Sequence, residues 1–431
     1  MKGEKTMANI RPFKALRFNT EKAGDIKSLC CPPYDIVSEK EREELLLKNE
    51  YNIIRLELPV GENRYEKTGK LLNEWIDKDI LRKDTEEGYY VYREEFSVGG
   101  KAYSFIGFMT ELEAVPFSEG IVLPHEETLS KAKKDRFELF KATNCNFSQI
   151  YALYNDEGEV EKILKEVSDG TPVHSFTDDS GVCHSLWIIN DEKTKNRLTE
   201  IFADKKLYIA DGHHRYETSV NYKNYLYENG SISDKNEGGN FVLTMLVSME
   251  SDGLVVFPTH RIVRDLESFS RTEILEKAKD VFEITAITSE KVDESLEKLY
   301  NSGEKAFVMY SKEGYDLFVL RDIEFSKKRH PGSSEAYAGL DVNVLHSLLL
   351  EDVFGIDKEN MANQKNLIYT KLRAEAEEAV NKGTANCAFI LNPTKVSEIR
   401  DTSLCGEKMP QKSTYFYPKL ITGLVMNKFR D

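Results

Sequence analysis

Apolar positions along this chain fall into short strand-length runs alternating with segments of helical period. Residues 9–20 predict a first strand, and Cys31-Pro32-Pro33-Tyr34-Asp35 a rigid turn, because both prolines fix φ. Ser38 followed by Glu41 has capping-box spacing and opens a helix through about Lys48. Residues 52–58 read as a strand ending at Pro59, and residues 66–81 as an amphipathic helix with Leu71, Leu72, Trp75 and Ile76 on one face. Residues 89–96 and 102–112 flank Gly99-Gly100 and predict a β-hairpin. A charged helix is expected over 131–143. Strands are expected over 148–153, 185–190, 207–210, 241–249 and 254–258, with helices over 160–167, 192–202 and 216–228. Beyond a boundary near 265–290, helices over 274–281 and 292–300 alternate with strands over 306–310 and 316–320. Residues 327–339 read as a loop, 342–350 and 369–382 as helices, and 388–391 as a strand. The order strand–helix–strand–turn–helix around residue 211 is an α/β signature with a mixed sheet.

At 431 residues, the chain is too long for one ordinary core. The expected division is a phosphate-binding region over residues 1–270 with an inserted hairpin, and a C-terminal α/β region over 271–431. The net charge of −15 argues against duplex binding as the main task. Six scattered cysteines without a Cys-x-x-Cys pair read as reduced thiols. The first residues lack an apolar signal core, and no stretch approaches the roughly 18 apolar residues of a membrane span, so a cytoplasmic protein is expected.

Candidate chemistry concentrates at Tyr208-Ile209-Ala210-Asp211-Gly212-His213-His214-Arg215. A strand, a glycine turn and a helix start converge there, a setting suited to phosphate or carboxylate. Gly212 permits close approach and positive φ, and Arg215 offers a planar fork for phosphate oxygens. Asp211 could hold Mg²⁺ or steer a proton. The competing reading is a helix start capped by Asp211, with surface histidines. A second constellation, His125-Glu126-Glu127-Thr128 with Lys131, Lys133, Lys134, Asp135 and Arg136, supplies candidate bases and cations; it reads equally as a solvated helix start. Pro410-Gln411-Lys412-Ser413-Thr414 places a lysine beside two hydroxyls, but Gln411 stands where a Walker loop needs glycine. Thr259-His260-Arg261 and Asn392-Pro393-Thr394-Lys395 are weaker signals of the same kind. The glycine-rich dinucleotide, nucleophile-elbow and zincin motifs do not occur.

Taken in order, Pro32-Pro33-Tyr34-Asp35, Asn52-Ile53-Ile54-Arg55-Leu56, Leu123-Pro124-His125-Glu126, Asp211-Gly212-His213-His214-Arg215, Pro258-Thr259-His260-Arg261, Asn392-Pro393-Thr394-Lys395 and residues 409–419 resemble the family called domain of unknown function 1015 across essentially the whole chain. Separately, Asp211-Gly212-His213-His214-Arg215 resembles the motif of free serine kinases in the ParB/sulfiredoxin fold. That resemblance implies a ParB/sulfiredoxin-like core elaborated at both ends. It also implies phosphoryl transfer to free serine (or from phosphoserine) with ADP or ATP and Mg²⁺, and a glutamate base. Phosphate or nucleotide would then meet Gly212, His214 and Arg215, with His125, Arg136, Lys412 and Ser413 as further candidates; Asp211 would take the metal. Glu126 and Glu127 are base candidates by chemistry, and His213 and Asp211 complete the catalytic set. His213 replaces the cysteine of the sulfiredoxin motif, which argues against sulfiredoxin chemistry. Two other readings stay open: a nucleotide-binding regulator without chemistry, and a ParB-like nucleic-acid protein, against which the charge speaks.

Overall fold

A computed structural model describes residues 8–128 and 130–430, with the side chains of Ser130 and Lys131 outside that description. The chain forms two compact units. The first contains the chain up to Pro124, Thr128–Leu254 and the segment from Pro418 onward; the second contains His125–Glu127 and Val255–Tyr417.

The first unit is built on a nine-stranded mixed sheet. Its order runs Val122–Leu123, Leu207–Asp211, Ile150–Tyr154, Phe241–Ser248, Lys101–Glu113, Tyr89–Val98, Cys183–Ile189, His174–Thr177, with Ile10–Arg11 also paired to Lys101–Glu113. Leu207–Asp211 is parallel to Val122–Leu123 and antiparallel to Ile150–Tyr154, which is parallel to Phe241–Ser248. Alternation along the strands gives each face its own residues. One face carries Tyr89, Val91, Phe108, Ile150 and Ala152, all fully buried, and packs on Leu164, Leu198, Phe202 and Tyr216 from the covering helices. The helix Glu39–Lys48 begins with the expected capping box, the amphipathic helix spans Arg64–Asp77, and the hairpin turns at Gly99-Gly100.

The second unit holds a six-stranded sheet, antiparallel at every pairing: Phe282–Ile287, Gly314–Leu320, Ala306–Ser311, Cys387–Leu391, His260–Val263, Leu367–Thr370. Phe282, Phe307, Phe318 and Phe389 fill one of its faces.

Three expectations fail. Residues 52–58 are not a strand. Asn52 is fully buried, its Oδ1 accepts from Ile54 N–H (3.0 Å), and its amide donates to the carbonyls of Ser28 (2.8 Å) and Cys30 (3.1 Å). That side chain turns the backbone into the short helix Ile54–Glu57. The stretch 327–339 contains the end of the helix Glu324–Arg329 and the helix Glu335–Ala338, the latter capped by Ser334. Residues 369–382 divide into the end of the strand Leu367–Thr370 and the helix Arg373–Asn381, because Tyr369 pairs with Arg261 in the sheet.

Among the described residues, no helix is long and apolar enough to cross a membrane.

Candidate functional site

In the first unit, the strand Leu207–Asp211 slips register against Ile150–Tyr154 between Ile209 and Asp211, then stops. Gly212 turns the chain at φ +91° and leads directly into the helix His213–Glu228. Among the described residues no side chain caps this helix end, whose dipole favours negative charge. Tyr216 anchors the first turn: it is fully buried and its hydroxyl donates to Val115 O (2.9 Å). His213 and Arg215 are buried, and His214 is half-buried.

The Arg215 guanidinium folds back over Gly212 and donates from Nη1 to Gln149 O (2.6 Å). Gln149 in turn donates to Ile421 O (3.0 Å), tying the turn to the returning C-terminal segment. That segment also delivers Lys419, whose Nζ lies 3.3 Å from Asp211 Oδ2; Arg215 Nη2 lies 3.8 Å from the same oxygen. Burial alone would raise the Asp211 carboxyl. Lys419 and Arg215 outweigh it and hold the pKa down at about 2. Asp211 Oδ1 accepts from Gly212 N–H (3.0 Å), bracing the turn.

A second buried ion pair belongs to this unit. Arg136 Nη1 lies 3.6 Å from Glu57 Oε1 and donates to Glu57 O (2.8 Å); Nη2 reaches Asp135 (2.5 Å). The guanidinium sits 4.0 Å from the centre of the Tyr34 ring. Ser148 donates to Glu57 Oε1 (2.9 Å). Burial pushes the Glu57 carboxyl up despite the opposing charges of Arg136 and Arg215. Burial also lifts Tyr34 to about 12, against those same two arginines. The Pro32–Asp35 turn, the helix after Asn52, Arg136 and the Asp211–Arg215 turn are thus electrically linked within one unit.

The remaining candidates lie in the second unit. Met409 N–H donates to His125 O (2.7 Å), and a parallel bridge joins Glu126 to Met409. His125 Nε2 is 2.9 Å from Thr414 Oγ1, and Glu126 Oε1 accepts from Lys412 N–H (3.2 Å). Glu127 pairs with Lys408 at 3.4 Å. Ser413 is buried; its hydroxyl donates to Pro410 O, and its carbonyl accepts from Thr394 (2.8 Å). Lys412 takes φ +59°, a left-handed conformation rare outside glycine. The charged residues after Thr128 belong instead to the first unit: Lys133 pairs with Glu217 (2.8 Å), Lys134 is exposed, and the Lys131 side chain lies outside the described residues.

The fit to Mg²⁺ is poor as the side chains stand. Mg²⁺ is held through carboxylates and substrate phosphates, but Asp211 is bracketed by two cations. Among the described residues, no three His, Cys, Asp or Glu side chains group as metal ligands.

Sequence reasoning missed Lys419, Glu57 and Gln149. Lys419 closes residues 409–419, the last stretch of the family resemblance, and Glu57 directly follows Asn52–Leu56. Gln149 contributes a backbone carbonyl, which no side-chain pattern announces.

This chain belongs to the family described as "Protein of unknown function (DUF1015)", which matches residues 10–343. No curated protein matches it. Among solved structures it is similar to a conserved hypothetical protein from Pyrococcus furiosus, at 15% identity over 72% of this chain and 93% of the other, with a TM-score of 0.34. It is similar to free serine kinase in complex with AMP, at 16% identity over 69% and 84%, TM-score 0.35. It is also similar to SbnI with C-terminal truncation from Staphylococcus aureus, at 8% identity over 74% and 86%, TM-score 0.35.

Proposed function

We propose that this DUF1015 chain transfers a phosphoryl group between a nucleotide and a small hydroxyl compound, with free serine or phosphoserine as the substrate and ADP or ATP as the nucleotide. The observation that carries this reading is the Gly212 turn. A positive-φ glycine, a helix start and the cations Arg215 and Lys419 meet at one strand end. Phosphate oxygens are the ligand such a turn serves best.

In the forward direction the serine hydroxyl oxygen bonds to the terminal phosphorus, and the bond from that phosphorus to the bridging oxygen breaks. AMP or ADP leaves, and the hydroxyl proton passes to a carboxylate. Glu126 and Glu127 are assigned the base role by chemistry. Positioning and charge neutralisation supply most of the rate in such transfers. Arg215 and Lys419 take the neutralising role, with Gly212 and His214 beside the phosphate.

One observation favours a second reading, nucleotide binding without chemistry. Asp211 already serves two cations and offers little to a metal or an acceptor.

The test is to incubate the full chain with serine, ADP or ATP, and Mg²⁺, following phosphoserine by ³¹P NMR, and to run phosphoserine as the reverse. Turnover in either direction is expected. No turnover in both directions, together with ADP affinity unchanged by Arg215→Ala, overturns the phosphotransferase reading. Nucleotide binding that survives loss of Glu126 and Glu127, again without turnover, selects the regulator.

A further inference from the structure

The second unit contains a cavity of about 400 Å³ lined by His330, His346, Tyr369, Met361, Met409 and Gln411, among others. The volume lies in the range of small-molecule sites. His346 stands on a π-helical turn, Leu345–Glu351, an irregularity frequent at functional sites.

Behind His346 and Tyr369 stands Arg261, 1% exposed. Its Nε donates to His346 Nε2 (3.2 Å), its Nη1 to Thr259 O and its Nη2 to Lys412 O (3.3 Å), and it lies 5.3 Å from the Tyr369 ring centre. Among the described residues no carboxylate pairs with it. A guanidinium has five N–H donors, and three are engaged. Burial lowers its pKa to about 10, so it stays charged at neutral pH. Burial and Arg261 both press His346 toward the neutral form, in which Nε2 accepts from Arg261 and Nδ1 carries the proton. A buried cation without a counter-ion is costly, and here it adjoins a cavity. On the same cavity wall, His330 Nε2 is buried without a hydrogen-bond partner.

We propose that this cavity binds a small organic monocarboxylate. The carboxylate would sit at the His346 end, where the Arg261 charge is felt, and the apolar body would lie against Met361, Met409 and Tyr369. A single negative charge fits better than phosphate. Two of the charged groups on the wall, Glu127 and Glu351, are already paired with Lys408 (3.4 Å) and Arg329 (3.0 Å), and the remaining cation, Lys358, is exposed and solvated. The carboxylate would thus supply the counter-ion that Arg261 lacks. This inference does not rest on the phosphotransferase reading: it turns on Arg261, His346 and the apolar wall, to which that reading gives no role.

The experiment titrates the full chain by calorimetry with phenylacetate, 3-phenylpropionate and 4-methylpentanoate, each against its neutral amide, and with inorganic phosphate. At least one carboxylate is expected to bind at least tenfold more tightly than its amide and than phosphate. Ala362→Trp, an exposed residue on the cavity wall, is expected to weaken that binding at least tenfold without changing the circular dichroism spectrum. Arg261→Met is expected to abolish it. Amides that bind as well as the acids, phosphate that binds better, no binding by any of the three acids, or carboxylate binding untouched by Ala362→Trp overturns the proposal. The Ala362→Trp and amide arms decide the matter even if Arg261→Met fails to fold.

Discussion

The guanidinium of Arg215 lies so close over Gly212 that a Cβ on Gly212 would stand 3.1 Å from Nη2 and 3.2 Å from Cζ. Gly212 also holds φ +91°. The turn therefore excludes side chains twice, by conformation and by contact. Gly212→Ala is expected to cost about 1–2 kcal/mol of stability from the left-handed backbone. Because Arg215 must move, it should also weaken ADP binding at least tenfold. Urea denaturation and calorimetry measure the two effects separately. An alanine variant of unchanged stability would contradict this geometry.

Asp211 sets a pH signature. Its pKa is held at about 2, below the ordinary 3.8. Its contribution to stability is therefore fully present above the ordinary value and is lost as pH falls through the window between the two. Denaturation midpoints measured from about pH 5 down to about pH 2.5 should fall more steeply for the wild type than for Asp211→Asn. Equal slopes would mean that Lys419 and Arg215 do not stabilise the ionised form.

Glu57 and Arg136 are expected to behave as one coupled pair, since they lie 3.6 Å apart and both side chains are 3% exposed. Arg136→Met leaves Glu57 buried without its nearest cation and should cost about 3–5 kcal/mol. Glu57→Gln should cost less, and the double variant should be less destabilised than the sum by at least about 1 kcal/mol. The Glu57 pKa is raised, so its charged form becomes a growing burden as pH climbs above the ordinary 4.5. Glu57→Gln should flatten that decline. An additive double-mutant cycle would show that the two residues do not interact.

Asn52→Ala tests the helix that the sequence concealed. Removing a buried amide with three backbone partners should cost about 2–3 kcal/mol and lower the thermal midpoint.

That segment also shows what periodicity can and cannot reveal. The run Asn52–Leu58 is apolar enough for a strand, and only contacts to Ser28 and Cys30, more than twenty residues away, convert it to a helix. Elements with their own local signals were legible. The capping box at Ser38, the Gly99-Gly100 hairpin and the helix Glu192–Phe202 all lie where the residues indicated. Gly212 was legible as a turn, because a glycine after an apolar strand has few other uses. Lys419 was not, since its 3.3 Å approach to Asp211 closes a loop of some two hundred residues. The grouping of His125 and Glu126 with Lys412 and Thr414 is likewise set by backbone pairing at Met409 rather than by any pattern around residue 125.

Docking of a nucleotide phosphate on the turn Gly212–Arg215 is measured by calorimetric titration of ADP into the wild type and Arg215→Ala. The wild type should bind ADP, and the variant should bind at least tenfold more weakly, with an unchanged circular dichroism spectrum. Equal ADP affinity in the two proteins, or no ADP binding by the wild type, would contradict such docking.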